Sequence, residues 1–270
     1  MTSIVGVHGI HHDMPEYDPV TAAAKIGETW SVNLAKGMGV HVPVKMAYYA
    51  PHLRRATSQA ANDDPQSLDD EAREMLAAWD AEYREHLQVP QGAATVVPRQ
   101  LISGMARLGG FASAPFHLFA MGMMREVPAY LRGGPQRQAA REEVAKTIQN
   151  ANASVVLAHS LGSVVAYEAL WAWPDITVDL LVTFGSPLGI RGFVFDRLVP
   201  KPVEVGLRPP GVRRWVNIAD KGDVCAVPRW LRRSFEVDED VEDTIHKFAF
   251  HKAARYLAAP AMTKTVERAL

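Results

Sequence analysis

The chain has 270 residues, 48% of them hydrophobic and 22% charged, enough for one large domain with a substantial core. A formal net charge of −1 excludes attraction of the whole molecule to nucleic acid or to an anionic membrane. The single cysteine, Cys225, excludes an intrachain disulfide and is compatible with a reducing compartment.

Ile4 to Val7 is a short apolar run ending before Gly9 and reads as a buried parallel strand. It is too short for the apolar core of a secretory signal, and His8, His11, His12 and Asp13 interrupt it at once. No window offers the roughly 20 uninterrupted apolar residues of a spanning helix, so the expected address is the cytoplasm. Thr21 to about Lys36 is a predicted helix with Ile26, Trp30 and Leu34 on one stripe, ending before Gly37 and Gly39. Val42 to Tyr49 alternates and reads as a second strand. From there the rhythm changes. Ser67 opens an amphipathic helix, with Asp70 as the acid of a capping box and Leu68, Ala72, Met75, Trp79 and Tyr83 as the apolar face. Residues 101–131 are rich in Met and Phe, poor in charge and interrupted by Gly and Pro, so they read as short helices and turns making an apolar surface.

After Gly133-Gly134-Pro135 the alternation resumes. Ala140, Val144 and Ile148 mark a helix, Ser154 to Ala158 a buried strand, and Leu161 to about Trp171 a helix stopped by Pro174. Val178 to Phe184 is the next strand, and a Pro-rich loop from Pro200 to Gly211 leads to the strand Trp215–Ile218. A last helix carries His251, Tyr256 and Leu257, while the acidic run from Asp238 to Asp243 reads as a solvated face. Strands alternating with helices predict a mainly parallel sheet covered on both faces. Residues 1–50 and 135–270 would form that core, with 51–134 as an inserted helical cap.

The chemistry centres on Ala158-His159-Ser160-Leu161-Gly162, which follows a buried strand and opens a helix. In that context an A/G-x-S-x-G sequence becomes a nucleophile elbow, because small residues at −2 and +2 let strand and helix meet at a sharp turn. The alternative is that Ser160 merely caps its helix. With Val7-His8-Gly9-Ile10, the segment Thr183–Gly189 and Trp215-Val216-Asn217 leading to Asp223-Val224, the chain resembles lipases and esterases of the α/β-hydrolase superfamily over residues 1–50 and about 135–260. It departs from them in lacking the strands that usually precede the His-Gly loop, so a trimmed sheet is expected.

The resemblance implies a Ser–Asp–His triad in that chain order, with Ser160 as nucleophile. It implies an oxyanion hole made by the backbone amides of Leu161 and Ile10; the alternative at Ile10 is an ordinary strand-ending turn. The acid would be Asp223, just before a valine, with Asp220 as fallback because Asp220-Lys221-Gly222-Asp223 is itself good turn chemistry. The base would be His251, ahead of Arg255-Tyr256-Leu257, with His246 as fallback. His159 would shape the pocket and not act as base.

His8, His11, His12 and Asp13 fit no common metal spacing and read as residues around the mouth of the site, so no metal and no organic cofactor is expected. Cys225 reads as a small core residue. Met105, Phe116, Phe119 and Met123, together with His8 and His159, are the candidate lining of a substrate pocket; the apolar stretch is equally readable as the cap's own core, or as a contact with lipid or with a second copy in a homodimer. The expected function is hydrolysis of a small ester with a lipophilic acyl group. Acyl transfer or thioester hydrolysis by the same triad, and a non-catalytic binding protein on the same fold, are the alternatives.

Overall fold

The structure is a computed structural model, described here over residues 3–58, 63–89, 97–245 and 251–270, without the side chains of 55–58. Six strands run in one all-parallel sheet: β1 (Ile4–Val7), β2 (Val44–Ala47), β3 (Val155–His159), β4 (Leu180–Phe184), β5 (Trp215–Asp220) and β6 (Glu239–Asp243), in spatial order β2-β1-β3-β4-β5-β6. The protein is therefore an α/β fold with a single parallel sheet flanked by helices. Among the described residues no helix is long and apolar enough to cross a membrane.

Alternation along each strand divides the core in two. Ile4, Val155, Leu157, Val182, Phe184, Val216 and Ile218 face a layer built by α1 (Pro19–Met38), α8 (Ala253–Leu257) and α9 (Pro260–Glu267). Val5, Val7, Val156, Ala158, Leu181 and Trp215 face the other way, toward α6 (Gly134–Ala151) and α7 (Leu161–Ala172). Between β2 and α6 lie α2 (Ala50–Ser58), α3 (Asp70–His86), α4 (Pro98–Gly109) and α5 (Ser113–Leu131). Their buried residues continue the second cluster without a break, so this insert shares one core with that face of the sheet.

Several local expectations shift. Helix α1 runs through Gly37 and stops where Gly39 adopts φ 70° and returns its N–H to Ala35. The cap of α3 is Asp69, whose carboxylate accepts the Ala72 amide; Ser67 instead closes a 3₁₀ turn, its hydroxyl donating to Asp64 O. The Met- and Phe-rich stretch is two helices, α4 and the 19-residue α5, which carries Pro128 internally. It does not make an apolar surface: among the large apolar residues of that stretch Leu118 alone is exposed, at 53%.

The acidic run is solvated only in part: Asp238 is exposed and Glu239, Glu242 and Asp243 are half-buried, while Asp240 is buried. The run forms the edge strand β6, because its inward carboxylate is neutralised: buried Asp240 accepts from Asn217 Nδ2 at 3.0 Å and from the amides of Leu231 and Arg232, and pairs with the Arg232 guanidinium. His251 precedes α8 and does not lie on it, and α9 follows where no helix was expected.

Candidate active site

Strand β3 delivers Ser160 to the carboxyl edge of the sheet in a backbone conformation that few L residues adopt, φ 52° and ψ −129°. Such conformations cost about 1–3 kcal/mol and persist only where the surroundings enforce them. Here the Ser160 amide donates to Phe184 O at 3.1 Å, and Ser163 Oγ donates to Ser160 O at 2.6 Å while pairing with Ser186 Oγ at 2.7 Å. Gly162 makes the turn sterically possible, since a Cβ there would lie 2.3 Å from the carbonyl oxygens of Val7 and His8. Although Ser160 sits at the N-cap of α7, its side chain makes no capping bond.

The hydroxyl is committed elsewhere. Ser160 Oγ lies 2.7 Å from His251 Nε2, and His251 Nδ1 lies 3.0 Å from both carboxylate oxygens of Asp223. All three residues are buried, at 0%, 7% and 2% exposure. The carboxylate can only accept, so Nδ1 carries the proton and Nε2 is left to accept from the serine. Burial works to raise the Asp223 carboxyl, but the His251 ring, the Cys225 amide (2.8 Å) and the Tyr256 hydroxyl (2.7 Å) outweigh it, and the group stays below the ordinary carboxylate range. Asp220, the fallback acid, turns toward the amides of Ile245 and Gly222, and burial raises its pKa. The fallback base His246 lies outside the described residues.

Facing Ser160 is the loop after β1. Its carbonyls are engaged: Tyr49 Oη donates to His8 O at 2.8 Å, His8 Nδ1 to Gly9 O at 2.9 Å and His12 Nδ1 to Ile10 O at 2.8 Å. The His8 ring stacks between Tyr49 and His12, and burial pushes its pKa down to about 3. The amides of Ile10 and Leu161, in contrast, find no acceptor among the described residues. His8 Nε2 and both ring nitrogens of His159 are likewise buried without a partner, but the two backbone N–H groups are the donors that an anionic oxygen beside Ser160 would complete.

A cavity of about 530 Å³ opens beside His251. Its walls are mostly apolar and come from α1 (Trp30), the start of α5 (Leu118, Phe119), Ile10 and His159. Phe119 and His159 thus stand where a pocket was expected. Met105, Phe116 and Met123 do not: each has no exposed surface and packs inside the insert, and His8 lies behind the loop. His159 rests 4.7 Å, ring to ring, from His251; burial holds its pKa well below the usual imidazole value.

Asp223, Cys225 and His251 are the one group of His, Cys, Asp or Glu among the described residues gathered closely enough to hold a metal. The donor set fits poorly, because burial and then Asp223 push the Cys225 thiol well up, away from the thiolate a metal takes. Sequence reasoning missed Tyr256, Ser163 and Ser186 as partners: Tyr256 and Ser186 lie in segments that it singled out, but a single hydroxyl leaves no sign of what it bonds to. Comparisons with protein-family models, with curated proteins and with solved structures give no match to this chain.

Proposed function

We propose that the protein is a serine hydrolase that cleaves carboxylic esters of lipophilic acyl groups, on a trimmed α/β-hydrolase fold with residues 51–134 as its cap. The observation that carries this reading is the unbroken chain of contacts from Asp223 through His251 to the hydroxyl of a backbone-strained serine. Ser160 Oγ attacks the acyl carbonyl as His251 Nε2 takes its proton. Asp223 keeps the imidazole in the right tautomer and stabilises the imidazolium. The oxygen that becomes negative is received by the Ile10 and Leu161 amides, each donor being worth about 10²–10³ in rate. His251 then returns the proton to the leaving alcohol, and water releases the acid by the same steps in reverse.

The apolar cavity at His251 supports a lipophilic group on the substrate. A fluorophosphonate probe tests the reading. Covalent labelling of the wild type and none of Ser160→Ala is the expected result, and an unlabelled wild type would sink it in favour of a binding protein. With p-nitrophenyl esters, kcat/KM should rise from acetate to octanoate; a flat series removes the acyl-pocket assignment. Transfer to added alcohols or thiols in place of water would identify an acyltransferase or thioesterase using the same residues.

A further inference from the structure

The loop that presents the Ile10 amide is gripped from outside the sheet. His11, a non-glycine residue, sits at φ 63°, a conformation that must be held in place. Two residues of α5, four apart and so on one helical face, hold it. Glu126 Oε1 accepts the His11 N–H at 2.9 Å. Gly122 gives the imidazole its seat, since a Cβ there would fall 1.7 Å from His11 Nε2. The peptide between Ile10 and His11 is thereby tied at both ends, its carbonyl to His12 Nδ1 and its N–H to Glu126.

We propose that Glu126, with Gly122, is a positioning residue that clamps His11 and thereby sets the orientation of the Ile10 amide toward the oxyanion. This rests on the hydrolase reading above. Gly122 and Glu126 serve the reaction without lining the cavity: they hold the one oxyanion donor that the elbow itself does not supply. The charged and titratable groups facing Glu126 are Arg125 on its own helix, Asp13 and His11 on the loop, and Tyr49 after β2; Asp13 is paired with Arg54, and Arg125 with Asp63. Burial raises the Glu126 carboxyl to about 7, against the opposing pull of the His11 amide and Arg125. Above that pH the clamp is a carboxylate, a stronger acceptor than a neutral carbonyl oxygen.

The experiment compares wild type, Glu126→Gln, Glu126→Ala and Gly122→Ala on a p-nitrophenyl ester, with fluorophosphonate labelling of each. The expected result for Glu126→Ala and Gly122→Ala is a fall in kcat of about 10–100-fold with KM within about twofold. Affinity for a trifluoromethyl ketone, whose serine adduct places an oxyanion at the same amides, should fall with kcat. Glu126→Gln mimics the protonated acid, so the wild-type to Gln ratio of kcat should be near one at pH 6 and rise about three- to tenfold by pH 8.5. Folded Ala variants with wild-type kcat, or a ratio that stays flat across pH, would overturn the clamp; if the Ala variants do not fold, the isosteric Gln decides. A wild type unreactive to the phosphonate brings down the hydrolase reading and the clamp together, whereas equal labelling rates of wild type and Glu126→Ala bring down the clamp alone.

Discussion

The sheet and the insert contribute to the site in opposite ways. Ser160, Asp223 and His251 all follow sheet strands or lie between sheet and helix, and none comes from residues 51–134. Yet the insert reaches each neighbourhood. Trp79 on α3 donates its indole N–H to Val224 O at 2.8 Å, next to the acid; Phe119 on α5 lies 5.0 Å, ring to ring, from His251; Glu126 holds His11 beside Ile10. The sheet brings reactive groups together because parallel strands end at one edge. The insert restrains the loops that leave that edge.

The sharpest break between the two regions is Asp223→Asn. It keeps the shape of the site while letting the wrong imidazole tautomer form, and kcat is expected to fall by about 10⁴-fold. The folded baseline should barely move. If Asp220→Asn proved the damaging change instead, Asp220 and not Asp223 would be the carboxylate that orients His251.

Glu168→Ala attacks the joint between the regions. Glu168 on α7, the helix that Ser160 opens, is fully buried and pairs with Arg137 of α6; it also accepts the Tyr130 hydroxyl of α5 at 2.6 Å and the Val199 amide at 2.9 Å. Removing it strands the Arg137 guanidinium in the core, which costs about 3–5 kcal/mol. Chemical denaturation should show that loss; a change under 1 kcal/mol would mean that the joint is better hydrated than its burial indicates.

These contrasts explain what could be read from the chain. The sharp strand–turn–helix at Ser160 was legible because steric need compresses into five adjacent residues, Ala158 to Gly162. The apolar runs of β1, β3, β4 and β5 were legible because strands buried on both faces are continuously hydrophobic. Strand β6 was not, because its acidic residues are neutralised by Arg232, Arg229, Arg214 and Arg268, which come from elsewhere in the chain. The pocket lining was half legible: composition marked the Met- and Phe-rich stretch, but only the packing of α4 and α5 shows that Phe119 turns outward while Phe116 and Met123 turn in. Trp79 was legible as part of an apolar helix face, but its bond to Val224 and the bond of Glu126 to His11 were not, since a single hydrogen bond across 115 or 145 positions leaves no local pattern.

Trp79→Phe sharpens the comparison at smaller scale. The ring is fully buried, stacked on Phe193 at 5.9 Å, and phenylalanine preserves much of that packing while orphaning Val224 O. The expected loss is about 1–3 kcal/mol for the unsatisfied carbonyl, with a drop in kcat because Val224 adjoins Asp223. Unchanged kcat alongside lost stability would confine Trp79 to the core.

The smallest effect is also the one with a distinctive sign. Glu126 has a folded pKa of about 7, against 4.5 for the ordinary side chain, with burial as the main cause. The folded protein thus binds this proton more tightly than the unfolded chain. The stability that the bound proton lends is fully present below about pH 4.5 and is lost as pH rises to about 7, with a ceiling of about 3 kcal/mol. Because water still reaches this half-buried carboxyl, about 1 kcal/mol, or roughly 2–4 °C in Tm, is the reasonable expectation. Glu126→Gln has no charge to desolvate, so its Tm should match the wild type near pH 4.5 and exceed it above pH 7. The same variant is expected to lose kcat over that upper range. Opposite signs for stability and rate, at one residue and in one pH window, are what a positioning carboxylate held against its solvation preference would produce. A wild type more stable than the Gln variant at pH 8 would show instead that the carboxylate is an ordinary favourable contact between insert and loop.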